Sequence, residues 1–349
     1  MRILYVNIDS GNARDKVTIR GLSENGAEIA ELAENSKGYR KFFALRKKHL
    51  EHKGSYDAII VGYTGGIFVP FMRLISNKKI IYNALASLYE GMVISRGKSS
   101  LFLKAKYYLI DFLAFHIAHH TLVESEPQKN FIAKKFGVRK SKISVHFTGA
   151  DDDDFYFDPK IEKLPTFTAV FRGKFLPEAG VEVLLHAAKL LEGQDLRIRI
   201  LGHGMLEKEI RALSEHLSLQ NTEIIVSFLS TAELQKNIAE CHVSIGQISD
   251  HPRLERTIPH KAFEALAMKL PYLTARSKGV LSLLKENETC LCAEGGNAKD
   301  LAEKILCLKN DPMLLEKIAT SGHKLYLESL TPKILGENLM LTIKKLIQS

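Results

Sequence analysis

The sequence predicts an α/β protein of two doubly wound, parallel-sheet domains in tandem, with a cleft between them. Three observations predict it. The 349 residues exceed one ordinary domain and suit two of about 150–200 residues each. Strand-like and helix-like segments alternate from one end to the other, as parallel sheets covered by helices on both faces require. That alternation breaks once, at Ala150, where Asp151–Asp154, Phe-Tyr-Phe-Asp-Pro159 and Lys-Ile-Glu-Lys-Leu-Pro165 follow with no sustained period. A linker is therefore expected at about 150–165. The expected domains are 1–155 and 156–334, with 335–349 a final helix packing back toward the first.

In the first half, apolar runs predict buried strands at Arg2–Ile8, Ala27–Leu32, Ala58–Gly62, Lys79–Asn83, Thr121–Glu124 and Ile143–Phe147. Helices are expected between them at Ala13–Glu24, Gly38–His52, Val69–Ile75, Leu101–His119 and Gln128–Phe136. The second series gives strands Phe167–Arg172, Arg197–Gly202, Glu223–Phe228, His242–Gly246 and Tyr272–Thr274. Its helices are Val181–Glu192, Met205–His216, Thr231–Ala239, His260–Met268 and Ala298–Leu308, and Leu335–Ile347 closes the chain. No internal repeat or low-complexity tract stands out.

Apolar residues at 45% and charged residues at 26% describe an ordinary folded composition. Residues 1–150 hold 24 Lys and Arg against 12 Asp and Glu, and the remainder 25 against 28, so the whole +9 surplus arises in the first half. A basic face suits an anionic partner such as phospholipid, a phosphorylated glycan carrier or nucleic acid, or serves solubility alone. Tyr39–His52 reads as a basic amphipathic helix, suited to a membrane surface or to plain solvent. The longest apolar stretch, Leu101–Ala118, carries Lys104, Lys106 and Asp111, which argues against a membrane span. The opening Met1–Ile8 is too short for a secretory core and reads as a buried strand. Cys290 and Cys292 are spaced to share one face of a strand, and buried reduced thiols are expected, with a reducing cytosol as the compartment.

Three segments carry candidate chemistry. Gly173-Lys-Phe-Leu-Pro-Glu-Ala-Gly180 joins a strand to a helix, so bare amides, a helix N-terminus and Lys174 can meet a phosphate; an ordinary tight turn is the alternative. Ile200-Leu-Gly-His-Gly-Met205 ends the next strand with two glycines, Gly202 and Gly204, where open α/β sheets bind ligands. In Arg256-Thr-Ile-Pro-His-Lys-Ala-Phe-Glu-Ala-Leu-Ala-Met-Lys-Leu-Pro271, Pro259 suits a first helical turn. Glu264 then falls among apolar positions, an acceptor for two vicinal hydroxyls or else a solvent-facing glutamate. Arg256 and Lys261 flank the helix start, an arrangement suited to a diphosphate.

These segments resemble the donor domain of retaining GT-B-fold glycosyltransferases of the group 1, family 4 type, a group that includes sucrose synthases and lipid-glycan mannosyltransferases. The likeness is clearest over Val170–Leu191, Ile200–Leu213, Ser230–Gly246 and Arg256–Ala275, and moderate at Tyr56–Gly62 and Val123–Gln128. Such enzymes carry Gly-Arg-x-x-x-x-Lys-Gly; here Gly173-Lys174 keeps one cation, and Ala179 stands where the diphosphate lysine belongs. The family's two glutamates map to Arg256 and Glu264, so only the ribose-binding one remains. A histidine expected beyond the fourth strand is replaced by Asn83, and His116, His119 and His120 read as core or capping residues.

The resemblance implies two Rossmann-like domains facing a central cleft, and retaining, metal-independent transfer from a nucleoside diphosphate sugar, UDP or GDP type, to a hydroxyl of a cell-surface glycan or lipid-linked carrier. Lys174, Arg256 and Lys261 would stabilise the departing diphosphate. Donor contacts are implied at Gly11, Gly173, Gly204, Leu229, Pro259, Glu264 and Ala265, with Phe228–Leu229 near the base and the loop Asp9–Asn12 near phosphate and acceptor. No permanent cofactor, metal or nucleic acid partner is expected; Asp151–Asp154 are assigned to solvent. The expected location is the cytoplasm, with attachment to an anionic inner membrane face left open. A catalytically silent nucleotide-sugar-binding partner and a GT-B-fold sugar-nucleotide epimerase are the alternatives. A nucleic-acid-binding protein is disfavoured because no zinc finger, helix-turn-helix or aromatic-rich RNA signature is present.

Overall fold

A computed structural model describes residues 1–8, 11–36, 38–98, 100–226 and 229–348. The chain divides into two units, Met1–Asp151 with Ser329–Ser349, and Asp152–Glu328. The first begins β1 (Arg2–Asn7), α1 (Ala13–Glu24), β2 (Glu28–Ala33), α2 (Arg40–Glu51), β3 (Ala58–Val61), α3 (Phe68–Ile75) and β4 (Lys79–Leu85). A π-helical turn at Glu90–Ile94 then leads to α4 (Leu101–Ile117), β5 (His120–Val123), α5 (Glu126–Phe136) and β6 (Ile143–Val145). All six strands run parallel in the order β2-β1-β3-β4-β5-β6.

The second unit holds β7 (Phe167–Arg172), α6 (Val181–Leu190), β8 (Leu196–Leu201), α7 (Glu207–His216), β9 (Thr222–Ile225), α8 (Thr231–Ala239) and β10 (Val243–Ile245). It continues with α9 (His260–Ala267), β11 (Tyr272–Ala275), α10 (Lys278–Leu281), β12 (Leu291–Ala293), α11 (Ala298–Asn310) and α12 (Pro312–Ser329). Its parallel sheet is ordered β12-β11-β10-β7-β8-β9, so the direction of strand addition reverses at β7. Ligands in open α/β sheets bind outside the carboxyl ends at such a reversal. Cys290, just before β12, and Cys292 within it share a side, with sulfurs 3.9 Å apart.

Each sheet is buried at its centre, where strands such as β3, β10 and β11 are buried on both faces. In the first unit Leu45, Phe68, Phe115 and Ile132 come from α2, α3, α4 and α5 and share one core, so those four helices form one layer. The opposite face is covered by α1 and by α13 (Pro332–Gln348), through Leu22, Leu339 and Ile343. Two glycines let those helices touch: a Cβ on Gly21 would lie 2.1 Å from the Pro332 carbonyl oxygen, and one on Gly336 2.0 Å from that of Gly21. In the second unit Ala169, Phe171, Leu184, Ile198, Ile245 and Leu273 form the core.

Periodicity did not anticipate the π-helical turn, α10 or α12. The first two are five and four residues long, too short to display a helical period. Asp151 corrects its assignment to solvent, since Arg20 Nη1 lies 2.6 Å from its carboxylate.

Candidate functional site

β7, β8 and β9 end at Arg172, Leu201 and Ile225, and beyond those carboxyl ends lies a cavity of about 250 Å³. Arg172, Gly173, Lys174, Gly202, His203 and Leu229 are among its lining. Gly173 sits at φ 156°, which side chains rarely adopt, and a Cβ on Gly202 would stand 1.9 Å from its carbonyl oxygen. The two strand-to-helix turns are therefore in direct backbone contact, which glycine alone permits.

The segment after β10 closes on the same place. Ile248 N donates to the Ala179 carbonyl at 3.1 Å, and Ser249 Oγ to that of Glu178 at 2.9 Å. Gly180, at φ 70°, lies so near this strand that a Cβ would be 2.5 Å from Ser249 N. A buried ion pair, Arg253 Nη1 to Glu178 Oε1 at 2.9 Å, adds a charged tie. Residues 173–180 and 248–264 thus form one body.

On α9, Glu264 is 2% exposed. Arg172 Nη1 donates to its Oε1 at 2.9 Å, and His260 Nδ1 lies 2.9 Å from the same oxygen. Burial pushes this carboxyl up, but Arg172 and His260 outweigh it and hold it at about 2, so it stays ionised. Glu264 is consequently no bare acceptor: it already carries a guanidinium and an imidazole. His260 Nε2, by contrast, is buried with no hydrogen-bond partner among the described residues.

Lys261 is the unusual group. It is 8% exposed, its Nζ lies 3.6 Å from the centre of the Phe171 ring, and a Cβ on Gly173 would be 3.0 Å from that nitrogen. Burial, with Arg172 beside it, pushes its pKa well below the lysine range, although Glu264 opposes the shift. No hydrogen bond or ion pair to this ammonium is made among the described residues. A buried cation held by a π surface and the Coulombic attraction of Glu264, without an ion pair among the described residues, is only partly repaid for its desolvation.

Of the sequence-derived residues, Gly173, Lys174 and Leu229 line the cavity, and Lys261 lies against Gly173 without being part of that lining. Glu264 and Ala265 are buried on α9, and Pro259 caps that helix one position before its first turn. Gly204 also has a packing reason, since a Cβ there would lie 2.7 Å from the Phe175 backbone nitrogen. Arg256 is half-buried in the turn before α9, its backbone against Gly279. Gly11 belongs to the first unit, in the turn before Asn12, whose side chain caps α1. Asp9, Ser10 and Phe228 lie outside the described residues.

Arg172, Phe171 and His260 were missed. Arg172 had a signal, a cation on the last residue of a strand just before Gly173; His260 stands four residues before Glu264, a spacing that pairs side chains on a helix.

Asn83 is a structural hub of the first unit. Its Oδ1 accepts from Arg14 Nε at 2.7 Å and its Nδ2 donates to Tyr5 Oη at 3.1 Å. Tyr5 in turn donates to Asp15 at 2.7 Å, and burial pushes that carboxyl up to about 6. The three histidines have structural partners: His116 the Phe136 carbonyl, His119 the Ile80 amide, His120 the Ser144 hydroxyl.

Residues 152–325 match the family described as glycosyl transferases group 1. Among curated proteins, the chain is similar to the capsular polysaccharide biosynthesis glycosyltransferase CapM of Staphylococcus aureus, 24% identical over 244 residues, 66% of this chain and 63% of that protein. The chain thus spans less than two thirds of that relative. Among solved structures, the Anabaena protein HepE in complex with UDP-glucose superposes with a TM-score of 0.77 at 14% identity, covering 99% of this chain and 100% of that one. Sucrose-phosphate synthase of Thermosynechococcus elongatus gives 0.78 at 13% identity, covering 100% and 99%. Such distant likenesses show fold alone, and that fold is GT-B. Residues 152–325 match the model of the family described as glycosyl transferases group 1, and the two parallel-sheet units of the chain have the GT-B fold.

Proposed function

We propose that the protein transfers a glycosyl unit from a nucleoside diphosphate sugar to a hydroxyl of a glycan or lipid-linked acceptor, in the cytoplasm, with retention and without a metal. One observation carries the reading: the buried Lys261 ammonium, with no hydrogen bond or ion pair among the described residues, beside the Arg172–Gly173 turn and the start of α9. A diphosphate supplies the missing charge. As the glycosidic bond breaks, negative charge grows on that diphosphate, and Lys261, Lys174, Arg256 and the first amides of α9 stabilise it. Glu264, oriented by Arg172 and His260, receives the ribose hydroxyls. Gly173, Gly204, Pro259 and Ala265 keep the backbone close to the donor, Leu229 borders the base, and Gly11 serves the first unit's approach to phosphate and acceptor. HepE binds UDP-glucose and CapM acts in capsular polysaccharide biosynthesis, which favours a UDP donor and a polysaccharide acceptor as the first to be tried.

A thermal-shift panel of UDP, GDP and their sugars tests this. A ligand at one hundred times its Kd stabilises by about 2.7 kcal/mol, so selective binders stand out. If no nucleoside diphosphate raises the melting temperature, the donor site is misassigned. The silent-partner reading draws on Ala179 and Arg256, which replace a lysine and a glutamate of the family pattern. Binding without donor hydrolysis or transfer across the panel favours it, and a changed sugar nucleotide without acceptor favours an epimerase.

A further inference from the structure

The outward face of α4 is apolar where a soluble helix is polar. Leu101 is 85% exposed, Phe102 75% and Leu109 55%, and Phe112 and Leu113 continue the row toward the C-terminus. Their spacing of three, four and seven residues puts them on one side of a helix about 25 Å long. On the neighbouring α3, Leu74 is 84% exposed. Both helices lie in the same layer over the first sheet, so these side chains look outward from one surface. Scattered exposed leucines need no explanation; a continuous row does.

The charges around that row are of one sign. Between Glu90 and Asp111 the sequence contains Arg96, Lys98, Lys104 and Lys106 and no acid. The two bounding acids are themselves buried. Asp111 turns inward and accepts from Leu88 N at 3.0 Å and Tyr89 N at 2.7 Å, while Gln128 Nε2 donates to the Glu90 carboxylate at 2.5 Å. Carboxylates that would repel an anionic surface are thus withdrawn into the fold. No helix among the described residues is long and apolar enough to cross a membrane.

From this we infer that α4 is an in-plane membrane anchor: Leu101, Phe102 and Leu109 enter the acyl boundary of an anionic bilayer while Lys98 and Lys106 meet its headgroups. Apolar insertion plus attraction to anionic lipid is the physics of such helices. A second copy is the poorer occupant, because a two-fold contact through α4 would face the same cations against each other. This places the apolar contact on α4, and it stands independently of the reaction proposed for the second unit.

The experiment is flotation of the full chain with vesicles of equal phosphatidylcholine and phosphatidylglycerol, or of phosphatidylcholine alone. The wild type should float with the anionic vesicles at low salt and be partly retained at high salt, since salt screens the lysines but not the inserted side chains. A Phe102→Ser/Leu109→Ser variant should partition about tenfold or more weakly. Lys98→Ala/Lys106→Ala should lose about fivefold per lysine on anionic vesicles only. Unchanged melting temperature and nucleotide response in both variants establish intact folding. The inference is overturned if the wild type stays with the unbound fraction at low salt. It is equally overturned if the serine variant floats as well as wild type, or if α4 proves to be covered by a second copy that the serine variant releases.

Discussion

Replacing Lys261 by methionine should make the unliganded protein more stable and its nucleotide affinity worse. Methionine keeps most of the side-chain length and its contact with Phe171, and it removes the buried charge. Desolvating an ammonium costs several kcal/mol, and the Phe171 ring, 3.6 Å away, returns about 2. Apolar replacement of whole buried ion pairs gains about 1–4 kcal/mol elsewhere; only Lys261 is removed here, it has no ion-pair partner among the described residues, and the attraction of Glu264 is lost, so about 1–3 is expected. For a unit of this size that is a rise of about 3–8 °C in melting temperature. The pH dependence has a fixed sign. With the folded pKa depressed, the unfolded chain binds the extra proton, so wild-type stability rises with pH between the folded pKa and about 10.4. The variant loses that slope. Binding of UDP, whose diphosphate would pair with Lys261 in the wild type, should weaken about 30–100-fold. Differential scanning fluorimetry across pH, with and without UDP, reads all three. A lower melting temperature in unliganded Lys261→Met, or an unchanged UDP response, would refute the reasoning.

Two further substitutions probe the frame around that lysine. Glu264→Gln keeps the shape and removes the charge that Arg172 and His260 hold at about 2. Because this folded pKa lies below the ordinary value, the ionised carboxylate contributes stability above about pH 4.5 that is lost as pH falls toward 2. Acid titration followed by circular dichroism should therefore be shallower in the variant over that window, and an identical slope would mean the pair contributes nothing. Gly180→Ala places a Cβ 2.5 Å from Ser249 N at φ 70° and should cost about 2–4 kcal/mol in urea unfolding; a cost under about 0.5 would mean that the strand after β10 yields.

How much of this was legible differs between backbone and side chains. The strand Phe167–Arg172 and the helices Ala13–Glu24 and Thr231–Ala239 coincide with their sequence-derived limits, because hydrophobic period and caps such as the Ser230–Glu233 box fix them locally. The tight turns after β7 and β8 were also legible, since Gly173, Gly180 and Gly202 announce close backbone approach. The partner of Glu264 was not. Arg172 lies 92 residues away in sequence, and only the β7–β10 adjacency brings α9 over the end of β7. The exposed row on α4 escaped for the opposite reason. The sequence showed an apolar helix with too many charges for a membrane span, and only the tertiary packing reveals that Ala114 and Phe115 face inward while Phe102 and Leu109 face out.

The same contrast explains why a lysine at 261 accompanies an alanine at 179. Ala179 is 1% exposed and belongs to the apolar core with Phe175, Val181 and Leu184, and its carbonyl is held by Ile248 N. A side chain grown from that position enters packed hydrocarbon, whereas Lys261 arrives from α9 directly over Gly173. Ala179→Lys in the Lys261→Met background should therefore fail to restore UDP affinity, and should cost about 3 kcal/mol or more through overpacking and a buried charge. Were that double variant to bind UDP as the wild type does at an unchanged melting temperature, the turn would have room for a cation after all, and the special standing given to Lys261 would be lost.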